Sequence, residues 1–119
     1  MNQPQEAGAD MSKILIVDDS PSQLYYLRKM VEGVGYDAVT VESGEQALEA
    51  AANERPEVIL MDIVMPGMSG YTAKRKLGKG PSTKHIPVIF VTTKDREADR
   101  DWGLRQGARE YVTTPVNPN

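Results

Sequence analysis

No cysteine occurs in the 119 residues, which excludes disulfides, thiol nucleophiles and zinc–thiolate centres together. Histidine occurs once, as His85, so a multi-histidine metal site is excluded as well. Apolar runs last only a few residues, far short of the ~20 that cross a bilayer. The N-terminus lacks a basic-then-apolar signal pattern. These absences predict a soluble chain with no membrane partner, most simply cytoplasmic. A basic excess is missing too: the net charge is −3, which predicts no nucleic-acid partner. Acidic residues are absent from Ile63 to Lys94, while Lys74, Arg75, Lys76, Lys79, Lys84 and Lys94 all fall there. That basic run reads as a solvated face.

What is present is globular in character, with 39% hydrophobic and 26% charged residues. The length suits one domain. Residues 1–11 are polar and aperiodic and read as a disordered leader; the folded unit is expected over 12–119. Ile14-Leu15-Ile16-Val17 is a short apolar run suited to a strand buried on both faces, and it ends in Asp18-Asp19. Ser20-Pro21-Ser22-Gln23 then offers an N-cap serine, proline at the first helical position and glutamine three residues on. Leu24, Leu27, Val31 and Val34 follow at helical spacing. Asp37 to Val41 reads as a second strand, and Ser43-Gly44-Glu45-Gln46 opens a second helix that Pro56 stops. Val58 to Met61 is a third strand ending at Asp62, followed by a loop and a short helix from Tyr71 to Leu77. Val88 to Val91 is a fourth strand, ending at Thr92. A charged helix capped by Asp95 runs to about Gln106 with Ala98 and Trp102 inward, and Glu110 to Thr113 is a fifth strand. Strands alternating with helices imply an α/β fold with a parallel sheet covered on both faces.

In such sheets ligands bind outside the carboxyl ends of the strands. That rim carries Asp18, Asp19, Asp62, Thr92 and Thr114. Three carboxylates crowded together either raise a pKa or hold a cation. With oxygen donors alone, the cation is a hard one, Mg²⁺ or Mn²⁺, of the kind that accompanies phosphoryl chemistry. Gly33-Val34-Gly35-Tyr36-Asp37-Ala38 fits the loose dinucleotide pattern but lies between a helix and a strand, the reverse of the required context.

The runs Ile14 to Ser20, Val58 to Gly67, Pro87 to Thr92 and Gly107 to Pro115 together resemble the receiver domain of two-component response regulators. The resemblance covers residues 12 to 116. Met61-Asp62-Ile63-Val64-Met65-Pro66-Gly67 and Val91-Thr92-Thr93-Lys94-Asp95 are most similar to stand-alone, chemotaxis-like receivers of type IV pilus twitching-motility pathways. The resemblance implies a flavodoxin-like, doubly wound five-stranded parallel sheet of order 2-1-3-4-5. It implies that Asp62 accepts a phosphoryl group from a histidine kinase, with Mg²⁺ held by Asp18, Asp19, Asp62 and the backbone carbonyl of Val64. Thr92 would bond the phosphate and swing inward, followed by Tyr111 as an aromatic switch. A downstream protein partner would dock on the face of the fourth helix and fifth strand, homodimer formation stays open, and no independent enzymatic substrate is implied.

Two departures stand out. Thr114 occupies the place of the family's lysine, and it keeps a hydroxyl but no charge. Asn117-Pro118 is a helix-start signal with no helix after it, so the last helix is expected to be absent or truncated, leaving one sheet face beside the first helix under-covered. These departures keep open a second reading, an atypical or truncated receiver that binds protein independently of phosphorylation. A third, an Mg²⁺-dependent phosphatase resembling the haloacid dehalogenase group, wants an Asp-x-Asp pair, whereas Asp18 and Asp19 are adjacent.

Overall fold

Five short strands and four helices alternate along the chain in a computed structural model that describes residues 12–93 and 96–113. The elements are β1 (Lys13–Val17), α1 (Pro21–Gly33), β2 (Asp37–Val41), α2 (Gly44–Glu54), β3 (Val58–Met61), α3 (Gly70–Lys79), β4 (Val88–Thr92), α4 (Glu97–Arg105) and β5 (Glu110–Thr113). All strand pairs are parallel and the sheet order is β2-β1-β3-β4-β5. This is the flavodoxin-like order expected above.

Alternation along each strand divides the core in two. Leu15, Val17, Ile59, Met61, Val88, Phe90 and Tyr111 point to the face covered by α2 and α3, where Ala47, Ala51, Ala73 and Leu77 complete the larger cluster. Ile14, Ile16 and Val91 point to the other face, under Leu24, Leu27 and Val31 of α1. Both faces of β1 are therefore buried, which is why its sequence is a continuous apolar run. On the α1 face, Leu60 and Ile89 are only half-buried and Val112 is 40% exposed.

Local chemistry sets the helix ends. Ser20 Oγ accepts from Gln23 N–H at 3.3 Å, with Pro21 as the first helical residue. Ser43 Oγ accepts from Gln46 N–H at 3.1 Å, and the Gln46 side chain accepts in return from Glu42 N–H at 2.8 Å. This reciprocal box reaches one residue further back than the usual one. Arg55 closes α2 in the left-handed region (φ 51°), and Pro56 has no N–H with which to continue the helix. Helix α3 is longer than the sequence suggested, because Ser69 caps it through Thr72 N–H at 3.2 Å. Val34 is exposed at the end of α1 and does not join its buried stripe.

Helix α4 departs most from expectation. It begins at Glu97, Arg96 holds the N-cap position without a side-chain bond, and the suggested cap Asp95 lies outside the described residues. Ala98 and Trp102 are exposed rather than inward; the buried residue of this helix is Gly103. The reason is volume: the ring of Tyr111 fills the space beneath α4, so the helix presents its smallest residue there.

Candidate functional site

Strand register builds the site. β1 and β3 pair Val17 with Met61, so the next residues, Asp18 and Asp62, emerge side by side at the carboxyl end of the sheet. Backbone bonds hold both in place: Asp62 N–H donates to Val17 O at 2.9 Å and Asp18 N–H to Val41 O at 3.2 Å. Asp19 follows at once, and carboxylate oxygens from Asp18, Asp19 and Asp62 all lie within 4.8 Å of one another. Like charges that close repel one another.

The three carboxylates are not equivalent. Asp18 is buried, Asp62 half-buried and Asp19 exposed. Burial pushes the Asp18 carboxyl up to about 6, against the Ser20 N–H that donates to its Oδ1 at 2.9 Å; the charges of Asp62 and Asp19 push the same way as burial. Burial also raises the Asp62 carboxyl, with Asp19 adding to it. Hydrogen bonds from the Thr92 hydroxyl and from the N–H groups of Ile63 and Val64 oppose the rise, the Ile63 bond measuring 2.8 Å. Crowded oxygen donors with no nitrogen or sulfur, one of them held against its preferred charge state, suit a small hard cation. The donor set therefore fits Mg²⁺.

Thr92, at the end of β4, is 1% exposed, with its hydroxyl bonded to Asp62. Val64 lies in the loop after β3, its side chain exposed and its N–H turned to Asp62. Tyr111 is paired across the sheet with Phe90 and is 2% exposed. Burial pushes its phenol up to about 12, reinforced by Tyr71 and Asp99. Thr114 lies outside the described residues. The structure thus brings Asp18, Asp19, Asp62 and Thr92 together, sets Val64 beside them, and places Tyr111 one strand further along.

Other contributors escape a reading of the sequence. Gly70 opens α3 directly against the loop that follows β3: a Cβ there would run into the Asp62 carbonyl oxygen and come within 2.9 Å of Ile63 Cα. Its N–H bonds Ile63 O at 2.8 Å, which fixes the backbone that carries Asp62. Tyr71, next in sequence, is hydrogen-bonded through its phenol to that of Tyr111 and stacks edge-on to Phe90, with centroids 5.4 Å apart. Arg100 donates to Tyr111 O at 3.0 Å. Only the glycine directly after the capping Ser69 was a usable signal for any of these; the rest depend on contacts made once the sheet and helices assemble.

Known proteins agree with this geometry. The family model for the response regulator receiver domain matches residues 14–119. Protein PilH of Pseudomonas aeruginosa is 52% identical over 107 residues, which span 90% of this chain and 88% of PilH. Among solved structures, the chemotaxis protein CheY4 of Vibrio cholerae superposes with a TM-score of 0.83 at 30% identity, covering 91% of this chain and 90% of CheY4. The receiver domain of the sensor histidine kinase PA1611 from Pseudomonas aeruginosa does so at 0.81 and 30% identity, covering 90% and 88%, and holds a magnesium ion in its active-site cleft. Similarity of this extent, along both sequence and fold, means that the chain belongs to the response regulator receiver domain family.

Proposed function

We propose that this domain receives a phosphoryl group on Asp62 from a histidine kinase and signals to a protein partner, in a chemotaxis-like or twitching-motility pathway of the cytoplasm. The observation that carries the reading is the cluster itself: three carboxylates within 4.8 Å, with the buried Thr92 hydroxyl bonded to Asp62. In the transfer, an Asp62 carboxylate oxygen forms a bond to phosphorus while the P–N bond of the phosphohistidine breaks. The imidazole nitrogen leaves with the electron pair.

Asp18, Asp19, Asp62 and the Val64 carbonyl would hold Mg²⁺. When bound, the ion neutralises the charge that gathers around the transferring group. The chain's own residues do the rest. Ile63 and Val64 N–H groups orient the Asp62 carboxylate, and the Thr92 hydroxyl that bonds Asp62 would bond the new phosphoryl oxygens. Tyr111 lies beneath the α4–β5 face, where Trp102 and Leu104 are exposed and offer an apolar contact to a downstream partner. Thr114, in place of a lysine, leaves the phosphoryl group without one cationic partner, so phosphorylation and Mg²⁺ binding persist while activation weakens.

Incubation with a small phosphodonor and Mg²⁺, read by intact mass, tests the assignment. One phosphoryl adduct is expected, absent without Mg²⁺ and in Asp62→Asn. No adduct under conditions that label an ordinary receiver overturns it.

A further inference from the structure

Tyr111 is held from three directions, all of them by residues of this chain outside the carboxylate cluster. Beneath α4, its ring occupies the volume a side chain at 103 would need: a Cβ on Gly103 would come within 2.6 Å of the ring's Cδ2 and 2.8 Å of its Cε2, and within 3.2 Å of Phe90 Cδ2. Phe90, fully buried on β4, closes the same space from the sheet. Glycine is otherwise a poor choice inside a helix, so its presence at the one buried position of α4 marks a requirement for space. At the ring's far end, the phenol is hydrogen-bonded to Tyr71, whose hydroxyl donates onward to Asp99 O at 3.4 Å. On the main chain, Arg100 donates to Tyr111 O at 3.0 Å and sets its guanidinium 5.6 Å from the ring centroid.

We infer that Gly103 and Tyr71 are positioning residues that select the inward position of Tyr111 through the chain's own packing, so that the phosphoryl group is not needed to bring the ring in. The inference rests on the reading of Tyr111 as the residue at the domain's aromatic-switch position, and it makes the inward ring the resting state. It adds what sets that switch: a missing side chain on α4 and a phenol on α3, two elements that bracket the ring. A side chain at 103 and the inward ring exclude each other, whereas loss of the Tyr71 hydroxyl removes only the anchor at its tip.

The test labels the five tyrosines with 3-fluorotyrosine and follows each resonance with a soluble paramagnetic agent; Tyr111→Phe assigns the signal of interest. With no phosphodonor present, the wild-type Tyr111 resonance is expected to be protected from the agent, and addition of phosphodonor and Mg²⁺ leaves it protected. Gly103→Ala is expected to lose that protection, and Tyr71→Phe to lose part of it. A wild-type Tyr111 as accessible as the exposed Tyr25 overturns the inference, as does a folded Gly103→Ala protein in which the ring stays protected. Stability supplies the second arm should Gly103→Ala fold poorly. In a Tyr111→Ala background, where of these three contacts only Phe90 Cδ2 at 3.2 Å remains near the new Cβ, Gly103→Ala is expected to lower the urea midpoint far less than in the wild type. An equal loss in both backgrounds overturns the inference. Intact mass of the same samples separates it from the phosphorylation reading. A protected ring without an Asp62 adduct removes that reading and leaves the packing inference standing, and an adduct with an exposed wild-type ring does the reverse.

Discussion

Replacing Asp18 with asparagine should stabilise the metal-free protein at neutral pH, although it removes a carboxylate from the centre of the site. The physical reason is that Asp18 is 4% exposed and carries two carboxylate neighbours, so its ionised form is penalised by the fold. Its carboxyl moves from 3.8 to about 6, in the direction that disfavours charge. A carboxyl whose folded pKa lies above its unfolded one costs stability above the folded pKa, and the cost vanishes as pH falls below the unfolded one. Linkage gives a penalty of ~3 kcal/mol at pH 7, about half of that at pH 5 and under ~1 kcal/mol at pH 4. Asparagine carries no such penalty and keeps an oxygen to accept the Ser20 N–H bond now made at 2.9 Å. Urea denaturation of both proteins in a chelator, at those three pH values, is the assay. Asp18→Asn should be more stable by ~2–3 kcal/mol at pH 7, with the advantage fading towards pH 4. Saturating Mg²⁺ should then narrow or reverse the gap, because a ligand at a hundred times its dissociation constant stabilises by ~2.7 kcal/mol and the variant binds it less well. A difference that stays flat with pH, or a variant less stable than wild type at pH 7 in chelator, refutes the reasoning.

Three further outcomes follow from single residues. Gly70→Ala should lower stability by ~1–3 kcal/mol and slow phosphodonor labelling, because its Cβ displaces the Asp62 main chain; denaturant midpoint and adduct rate report the two effects separately. Ser43→Ala should cost ~1 kcal/mol by removing the acceptor of Gln46 N–H, with labelling of Asp62 unchanged. Thr114→Lys should strengthen the phosphorylation-dependent gain in partner binding. A charge pair at ~4 Å is worth up to ~4 kcal/mol, against the ~5.5 kcal/mol that a full switch requires. Binding curves with and without phosphodonor that are identical in both proteins would contradict this.

The strands were legible because their signal is local. Ile14 to Val17 and Val58 to Met61 are apolar without interruption, and a carboxylate standing directly after each has no place in a core. Ser20 and Ser43 announced their helices through bonds made within three residues, which is why those starts agree with the structure. Helix α4 was harder for a physical reason. An aromatic residue in a charged helix suggests an inward side chain, but here the inward volume already belongs to Tyr111, leaving Trp102 half-exposed and Gly103 beneath. The contact is set by residues on a different strand, and no periodicity within α4 encodes it. Gly70 and Tyr71 were missed on the same account. The close approach of α3 to the Asp62 backbone and the bond between two phenols exist only once the sheet is assembled.

The central claim is that Asp62 carries the phosphoryl group, and mapping the acyl phosphate tests it most directly. After phosphodonor and Mg²⁺, borohydride reduction converts a phosphorylated aspartate to homoserine, which tandem mass spectrometry locates. Homoserine at position 62 alone is the predicted result, with Asp18 and Asp19 recovered intact. Homoserine at 18 or 19, or at no position in a folded and Mg²⁺-loaded protein, would contradict the account.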